Sequence, residues 1–266
     1  CEGGTSFVAD SGFSAYGRRL LIGNVVYSDS VKTVTSQRLD QEERTGTLIS
    51  TGSTVVTDRK TGSVLKAPLG LTYVKGKQPT DQGTLYVSGG RPHLTLYPDN
   101  TNTSTSKRDT TNIDSDQMTL VGSNEFHGVG NVLIKRGVLD AAAGEAIFSD
   151  SAGRMQLWRT AKIKGENYTL DADSIHGDIV ADVFKEMRAF RSAHLVSSDL
   201  DVQSFRLRIM FDSGAVHRLI AVGTPKDPQT KASAGQANAV TPDFKLTADS
   251  IDALAPDQKL KEVFAV

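Results

Sequence analysis

The stretch Phe205-Arg206-Leu207-Arg208-Ile209-Met210-Phe211 has a period of two. Successive side chains on a strand point to opposite faces, so Phe205, Leu207, Ile209 and Phe211 share one face, with Arg206 and Arg208 on the other. A helix would scatter those four residues around its axis. Asp212-Ser213-Gly214 then makes a turn, and 216–222 is the return strand. The same grammar recurs. Residues 145–149 lead through Asp150-Ser151-Ala152-Gly153 into 154–159, and Tyr27-Ser28-Asp29-Ser30 and 57–62 each separate two more runs rich in Val, Thr, Ile and Leu. The best helical candidate is 182–191, where Val183, Met187 and Phe190 have helical spacing. Its neighbours favour a strand there too. The pattern predicts an all-β protein.

A chain of 266 residues is long enough for one large β domain or two smaller ones. Its hydrophobic fraction, 38%, is low for that size and suits strands that bury a single face. Lys and Arg number 30 against 31 Asp and Glu, with no dense basic run. No global field attracts nucleic acid, and none is expected as a partner. No apolar stretch is long enough for a membrane-spanning helix, and no signal-peptide pattern lies within the chain. The one cysteine is Cys1, so no internal disulfide can form. Cys1-Glu2-Gly3-Gly4 reads either as a lipidated N-terminus, which would anchor the protein to a membrane, or as a cut from a longer chain. At the other end Phe264-Ala265-Val266 stops within an apparent strand.

Two segments read as loops. Residues 99–117 are rich in Thr, Asn, Ser and Asp, with Ile113 the single apolar residue, and 223–243 carries Pro225, Pro228 and Pro242. They divide the chain into β repeats at 1–98, a polar loop at 99–117, central repeats at 118–222, a Pro/Ala/Lys-rich loop at 223–243 and the start of a further repeat at 244–266.

Short motifs recur across those divisions. Leu170-Asp171-Ala172-Asp173-Ser174-Ile175 and Leu246-Thr247-Ala248-Asp249-Ser250-Ile251 differ only at Asp171 and Thr247. Gly23-Asn24-Val25 returns as Gly130-Asn131-Val132, with Gly52-Ser53-Thr54-Val55 a looser copy. The run Leu219-Ile220-Ala221-Val222-Gly223 fits the same slot as 260–266. Each unit is a strand, a polar turn and a return strand. Gly and Asn permit the corner to the next rung, and units must stack to cover their apolar faces.

This succession resembles the OstA/LptA-like lipopolysaccharide-transport family. It consists of a Leu-x-Ala-Asp-x-Ile strand, a return strand ending near Gly223, and Gly-Asn-Val opening the next. The resemblance rests on 170–175, 216–223, 130–132, 23–25 and 246–266, and covers most of the chain outside the two loops. It implies a twisted, open β-jellyroll, a taco-like stack of antiparallel strands whose interior groove holds acyl chains. It further implies a periplasmic location, an acylated glycolipid such as lipopolysaccharide as cargo, and edge-strand pairing with like domains, including head-to-tail oligomers. The chain departs from a small family member in its length and its two loops.

No enzyme signature is present: neither Gly-x-Ser-x-Gly, nor a phosphate-cradling loop, nor a dinucleotide fingerprint. No catalytic residue or cofactor is expected. None of His93, His127, His176, His194 and His217 has ligand spacing, so no metal is expected. Carboxylates such as Asp150, Asp171, Asp173, Asp199, Asp201 and Asp212 sit at turns, where they cap backbone amides. Asp173 and Asp249 read as corner residues rather than a calcium rung, and Trp158 as a packing residue rather than a sugar platform.

The candidate groove lining is Phe148, Met155, Leu157, Ile163, Leu170, Phe205, Leu207, Ile209, Phe211 and Leu219. The residues alone leave open whether this stripe is a closed core or a groove; the resemblance implies the groove. Arg206, Arg208 and Arg218 are the candidates for sugar phosphates at its rim, because Arg forks onto phosphate oxygens. Each taken singly is more readily a solvated outer-face residue. The alternatives are a structural or adhesive β-solenoid with a dry core and, more distantly, a polysaccharide-active β-helix enzyme.

Overall fold

The computed structural model describes residues 4–76, 83–97, 109–122, 125–149, 152–180, 183–212, 214–225, 235–255 and 261–266. Among these the chain is all-β and antiparallel, without an α-helix. It divides into two compact units, Cys1–Gly137 and Val138–Val266.

The first unit contains β1 (Ser6–Val8), β2 (Ser11–Ala15), β3 (Arg18–Ser28), β4 (Lys32–Glu42), β5 (Thr47–Thr51), β6 (Thr54–Asp58), β7 (Val64–Ala67), β8 (Gly70–Val74), β9 (Thr84–Ser88), β10 (His93–Leu96), β11 (Thr111–Asp114), β12 (Gln117–Val121) and β13 (Glu125–Arg136). The long strands serve two half-sheets. One half-sheet runs β1, β3 (25–28), β4 (32–35), β6, β7, β10, β11, β13 (133–136). The other runs β2, β3 (18–22), β4 (38–42), β5, β8, β9, β12, β13 (125–129). Their inner faces are covered together, and Leu39, Ile113, Met118, Val25 and Val132 are at most 1% exposed. The Lys32 ammonium lies 4.1 Å from the Tyr73 ring centroid, a contact from one half-sheet to the other.

The second unit repeats the plan with β14 (Leu139–Ser149), β15 (Arg154–Lys164), β16 (Tyr168–Val180), β17 (Val183–Ser197), β18 (Asp201–Asp212), β19 (Ala215–Val222), β20 (Ala237–Val240), β21 (Lys245–Ala248), β22 (Ser250–Leu254) and β23 (Glu262–Ala265). Half-strands of β14 to β18 continue into β19, β22 and β23 on one side, and into β20 and β21 on the other. Each unit is thus a β-jellyroll folded along a line of corners.

At a corner the strand changes half-sheet and its register shifts, as at Ile22/Val25, Ala142/Glu145, Trp158/Ala161, Asp171/Ser174 and Phe190/Ala193. The recurring sequence motifs are these corners. Gly23-Asn24 and Gly130-Asn131 both take left-handed backbone, at φ of 76° and 47° and of 79° and 46°. An aspartate at the adjacent break between two short strands, β1 and β2 or β11 and β12, secures each. The Asp10 amide donates to the Gly23 carbonyl at 2.9 Å and Asn24 Nδ2 donates to Asp10 Oδ2 at 3.0 Å. Asp116 does the same for Gly130 and Asn131, at 2.9 and 2.8 Å. The Leu-x-Ala-Asp-Ser-Ile copies are also equivalent, with Ala172 and Ala248 each 7% exposed inside the corner. A Cβ on Gly130 would collide with the Asp116 carboxylate in a left-handed backbone. Gly130→Ala should therefore cost about 1–2 kcal/mol or more, read as a lower denaturation midpoint. Asn131→Gly, which keeps that backbone, should cost less, and equal losses would refute the conformational explanation.

Three features differ from the sequence expectation. Strands β11 and β12 begin inside 99–117, and β20 lies inside 223–243. Polar residues are buried there because corners satisfy them: Ser115, 0% exposed, donates its hydroxyl to the Gln117 carbonyl at 2.8 Å. The glycines turn the chain between half-sheets within one strand, while the polar hairpin turns carry it to the next rung. The alternation at 205–211 also fails at its first residue. Ser204 and Leu207 both point inward, leaving Phe205 and Arg206 together on the outer face. The candidate helix at 182–191 falls in strand β17 over its described residues.

Candidate functional site

The sequence candidates for the groove lie in the second unit, and the structure buries all but one. Phe148, Met155, Leu157, Ile163, Leu170, Leu207, Ile209 and Leu219 are 0–3% exposed and Phe211 is 8% exposed. Phe205 stands outside with Arg206, whose guanidinium lies 5.8 Å from its ring centroid. Between the half-sheets Tyr168 packs 6.1 Å from Phe211, which packs 6.5 Å from Phe184. The Tyr168 hydroxyl reaches Met187 Sδ at 3.9 Å, and burial pushes its phenol up to about 12. Among the described residues, side chains thus meet across the interior at Tyr168, Phe184, Phe211 and Met187.

The three arginines also face outward. Arg208 Nη2 donates to Glu186 Oε2 at 2.7 Å. Arg218 Nε donates to Asp252 Oδ1 at 2.9 Å, with Nη2 on Oδ2. These pairs hold the arginine charges high and the Asp252 carboxyl below its ordinary range, first through the hydrogen bond between them. Arg208 and Arg218 are thus matched on the outer sheet face rather than set around a cavity. Cys1 lies outside the described residues.

An apolar cavity of about 410 Å³ occurs instead in the first unit, between its half-sheets. Val56, Leu65, Leu94 and Leu96 come from one side and Leu85, Leu120 and Tyr73 from the other. That volume falls in the range of about 300–1,000 Å³ usual for small-molecule sites. Gly83 leaves the space that the Tyr73 ring takes up, because a Cβ there would overlap it. These residues come from β6 to β10 and β12 and share no local motif, so no sequence pattern marked them. The available signal was a set of strands with one aliphatic face each.

A polar cluster stands at the rim. Asp29 Oδ1 accepts from the Val31 and Lys32 amides at 2.8 and 2.7 Å. Asp29 Oδ2 accepts from the Tyr27 hydroxyl at 2.7 Å and lies 3.3 Å from Lys32 Nζ. Burial, then Asp29, raises the Tyr27 phenol. Burial is also the largest influence on Asp29 and pushes its carboxyl up, but the amides, the Tyr27 hydroxyl and Lys32 together hold it below the usual 3.8. A depressed folded-state value means that ionised Asp29 stabilises the fold fully above the unfolded value. That contribution drains away as the pH falls through the folded one. Asp29→Asn should cost about 1–3 kcal/mol at neutral pH and flatten the loss of stability below about pH 4. Denaturation midpoints across an acid series check this; parallel curves for the two proteins would remove Asp29 from the account.

The arrangement can hold an apolar chain in the cavity with its polar end at Lys32 and Asp29. Among the described residues no group of three His, Cys, Asp or Glu side chains is placed to hold a metal ion.

No protein-family model matches the sequence, and no curated protein does. Among solved structures the chain is similar to LptH from Pseudomonas aeruginosa, described as the LptA-homologous periplasmic component of the conserved lipopolysaccharide transport device. The two share 14% identity over 71% of this chain and 84% of that one, with a TM-score of 0.22. The fold description therefore stands on the strand pairing itself.

Proposed function

We propose that this protein binds and carries an acylated lipid, with acyl chain held in the first unit's cavity and polar head at the Lys32 rim. The observation that carries the proposal is that cavity: aliphatic on both walls, open at one margin, and bordered by a half-buried cation. Binding of this kind needs no catalytic group, since each buried methylene contributes about 0.8 kcal/mol. The resemblance read from the sequence motifs points to lipopolysaccharide or a similar acylated glycolipid as the cargo, and to the periplasm as the place of work. Transfer along a row of like domains fits the edge strands. β1 and β2 expose Val8 and Phe13, and β23 exposes Phe264. Such edges are templates for further strand pairing, including head-to-tail.

The test is native mass spectrometry of protein purified from membranes that contain lipopolysaccharide. The expected result is one bound acylated lipid per chain, exchangeable for added lipid. A bare protein that also takes up no lipid on mixing would favour the second reading, a structural or adhesive β-solenoid, which the contacts of Tyr168, Phe211 and Phe184 across the second unit's interior suit.

A further inference from the structure

The corners of the second unit include residue pairs with no glycine where the backbone is left-handed. In the first unit the left-handed corners are Gly23-Asn24, Gly130-Asn131 and Gly89-Gly90-Arg91, so that every one is opened by a glycine, which accepts this backbone. In the second unit the same kind of corner is made by Arg159-Thr160, at φ of 63° and 62°, and Arg191-Ser192, at 59° and 50°. A left-handed conformation is uncommon for such residues and a true outlier for β-branched Thr160. Strain of this sort persists where it places side chains for a purpose.

The side chains it places line a second concavity. Register shifts at successive corners turn neighbouring residues outward together, and they form an open groove of about 860 Å³. Its walls carry the rings of Trp158, Phe190 and Phe205 and the guanidiniums of Arg159, Arg191 and Arg206. Trp158 and Phe190 are held by His176 between them, at centroid distances of 5.8 and 5.2 Å. Across the strands Ser174 stands between Trp158 and Phe190, and Arg206 follows Phe190. The row thus runs Glu145, Trp158, Ser174, Phe190, Arg206, with two rings and one cation, and Arg159 and Arg191 follow Trp158 and Phe190 along their strands.

The charges are unevenly matched. Arg188, Arg208 and Arg218, one or more rows away, each pair with a carboxylate. At the corner, Arg159 pairs with Glu145 at 3.2 Å, whereas Arg191 and Arg206 have no carboxylate partner among the described residues. Asp173 and Ser174 add hydrogen-bonding groups to the same wall. Flat apolar faces, unmatched guanidiniums and interspersed carboxylates suit a hydroxyl-rich ligand bearing a few negative charges. A densely charged nucleic-acid backbone would meet Glu145 and Asp173.

We infer that this outer corner groove binds an anionic oligosaccharide, its sugar faces against Trp158, Phe190 and Phe205 and its phosphate or carboxylate groups on Arg191 and Arg206. The site is separate from the first unit's cavity and does not depend on lipid binding there.

Trp158 is the chain's only tryptophan, so its fluorescence reports on the groove directly. The probe is the phosphorylated oligosaccharide released from lipopolysaccharide by complete deacylation, added to the full chain. The expected result is a saturable change in Trp158 emission, with affinity about tenfold or more above that of neutral maltoheptaose. Arg206→Gln and Arg191→Gly should each weaken binding by about tenfold. Arg191→Gly should keep or raise the thermal midpoint, because glycine relieves the left-handed backbone. Four outcomes would overturn the inference: no saturable response at millimolar probe, unchanged affinity in both variants, an equal response to inorganic phosphate alone, or tighter binding of an oligothymidylate. Because the probe has no acyl chain, such a failure leaves the lipid proposal standing, and the lipid measurement can fail without touching this one.

Discussion

Leu207→Asp should unfold the second unit rather than only empty a lipid site. Leu207 is 1% exposed, between Ala189 on β17 and Ala221 on β19, which are 1% and 0% exposed. An aspartate there either buries a charge with no partner or must stay protonated, and its shorter side chain leaves a void besides. The expected cost is about 3–5 kcal/mol or more, a large share of the stability of a domain this size. Leu207→Ala, which leaves only the void, should cost about 2–5 kcal/mol. Trp158 lies in the same unit, so its fluorescence during guanidinium unfolding follows this transition. If Leu207→Asp keeps the wild-type midpoint, the side chain has room and water beside it. The second unit would then be an open groove, as the motif resemblance implied.

Filling the first unit's cavity should abolish lipid uptake without such a loss. Leu96 lies at the cavity and is only half-buried, while Leu120 is 7% exposed on the opposite wall. In Leu96→Trp with Leu120→Phe the added ring atoms enter existing space, so the strain that accompanies overpacking of a dense core is small. Displacing as few as three methylenes of a bound chain, at about 0.8 kcal/mol each, removes about 2.4 kcal/mol, roughly fiftyfold in affinity. Native mass spectrometry should show the variant without lipid and its thermal midpoint should be unchanged or higher. A variant that folds normally and still carries lipid would place the acyl chain elsewhere.

The two experiments separate roles that look alike along the chain. Phe148, Leu157, Ile209 and Leu219 have the same character as Leu65, Leu85, Leu94 and Leu120: aliphatic or aromatic residues on one face of a strand. Which set closes over itself depends on what stands opposite. In the second unit Tyr168, Phe184, Phe211 and Met187 meet across the gap. In the first, Tyr73 reaches Lys32 at the margin and leaves the space between the aliphatic walls unfilled.

Much of the architecture was legible in the residues. Alternation identified the strands, the Asp-Ser-Gly type turns located the hairpins, and the repeated Gly-Asn and Ala-Asp-Ser motifs marked the corners. These are local signals, because strand periodicity and left-handed backbone depend on a few neighbouring residues. The errors arose where distant pairing overrides local character. Thr111, Ile113 and Ser115 form a buried strand and corner inside a segment that reads as polar loop, because β10 and β13 flank it on either side. Phe205 leaves the inner stripe because its strand changes half-sheet at Ser204.

By itself, then, the sequence determined that the chain is a stack of antiparallel strands with recurrent corners, since φ preference and side-chain alternation are properties of adjacent residues. Only the tertiary structure decided which apolar faces enclose the first unit's cavity, and that the arginines and rings of the second unit's corners share one groove. Those outcomes depend on which residues from separate strands are brought opposite one another, and on whether their volumes fill the space between.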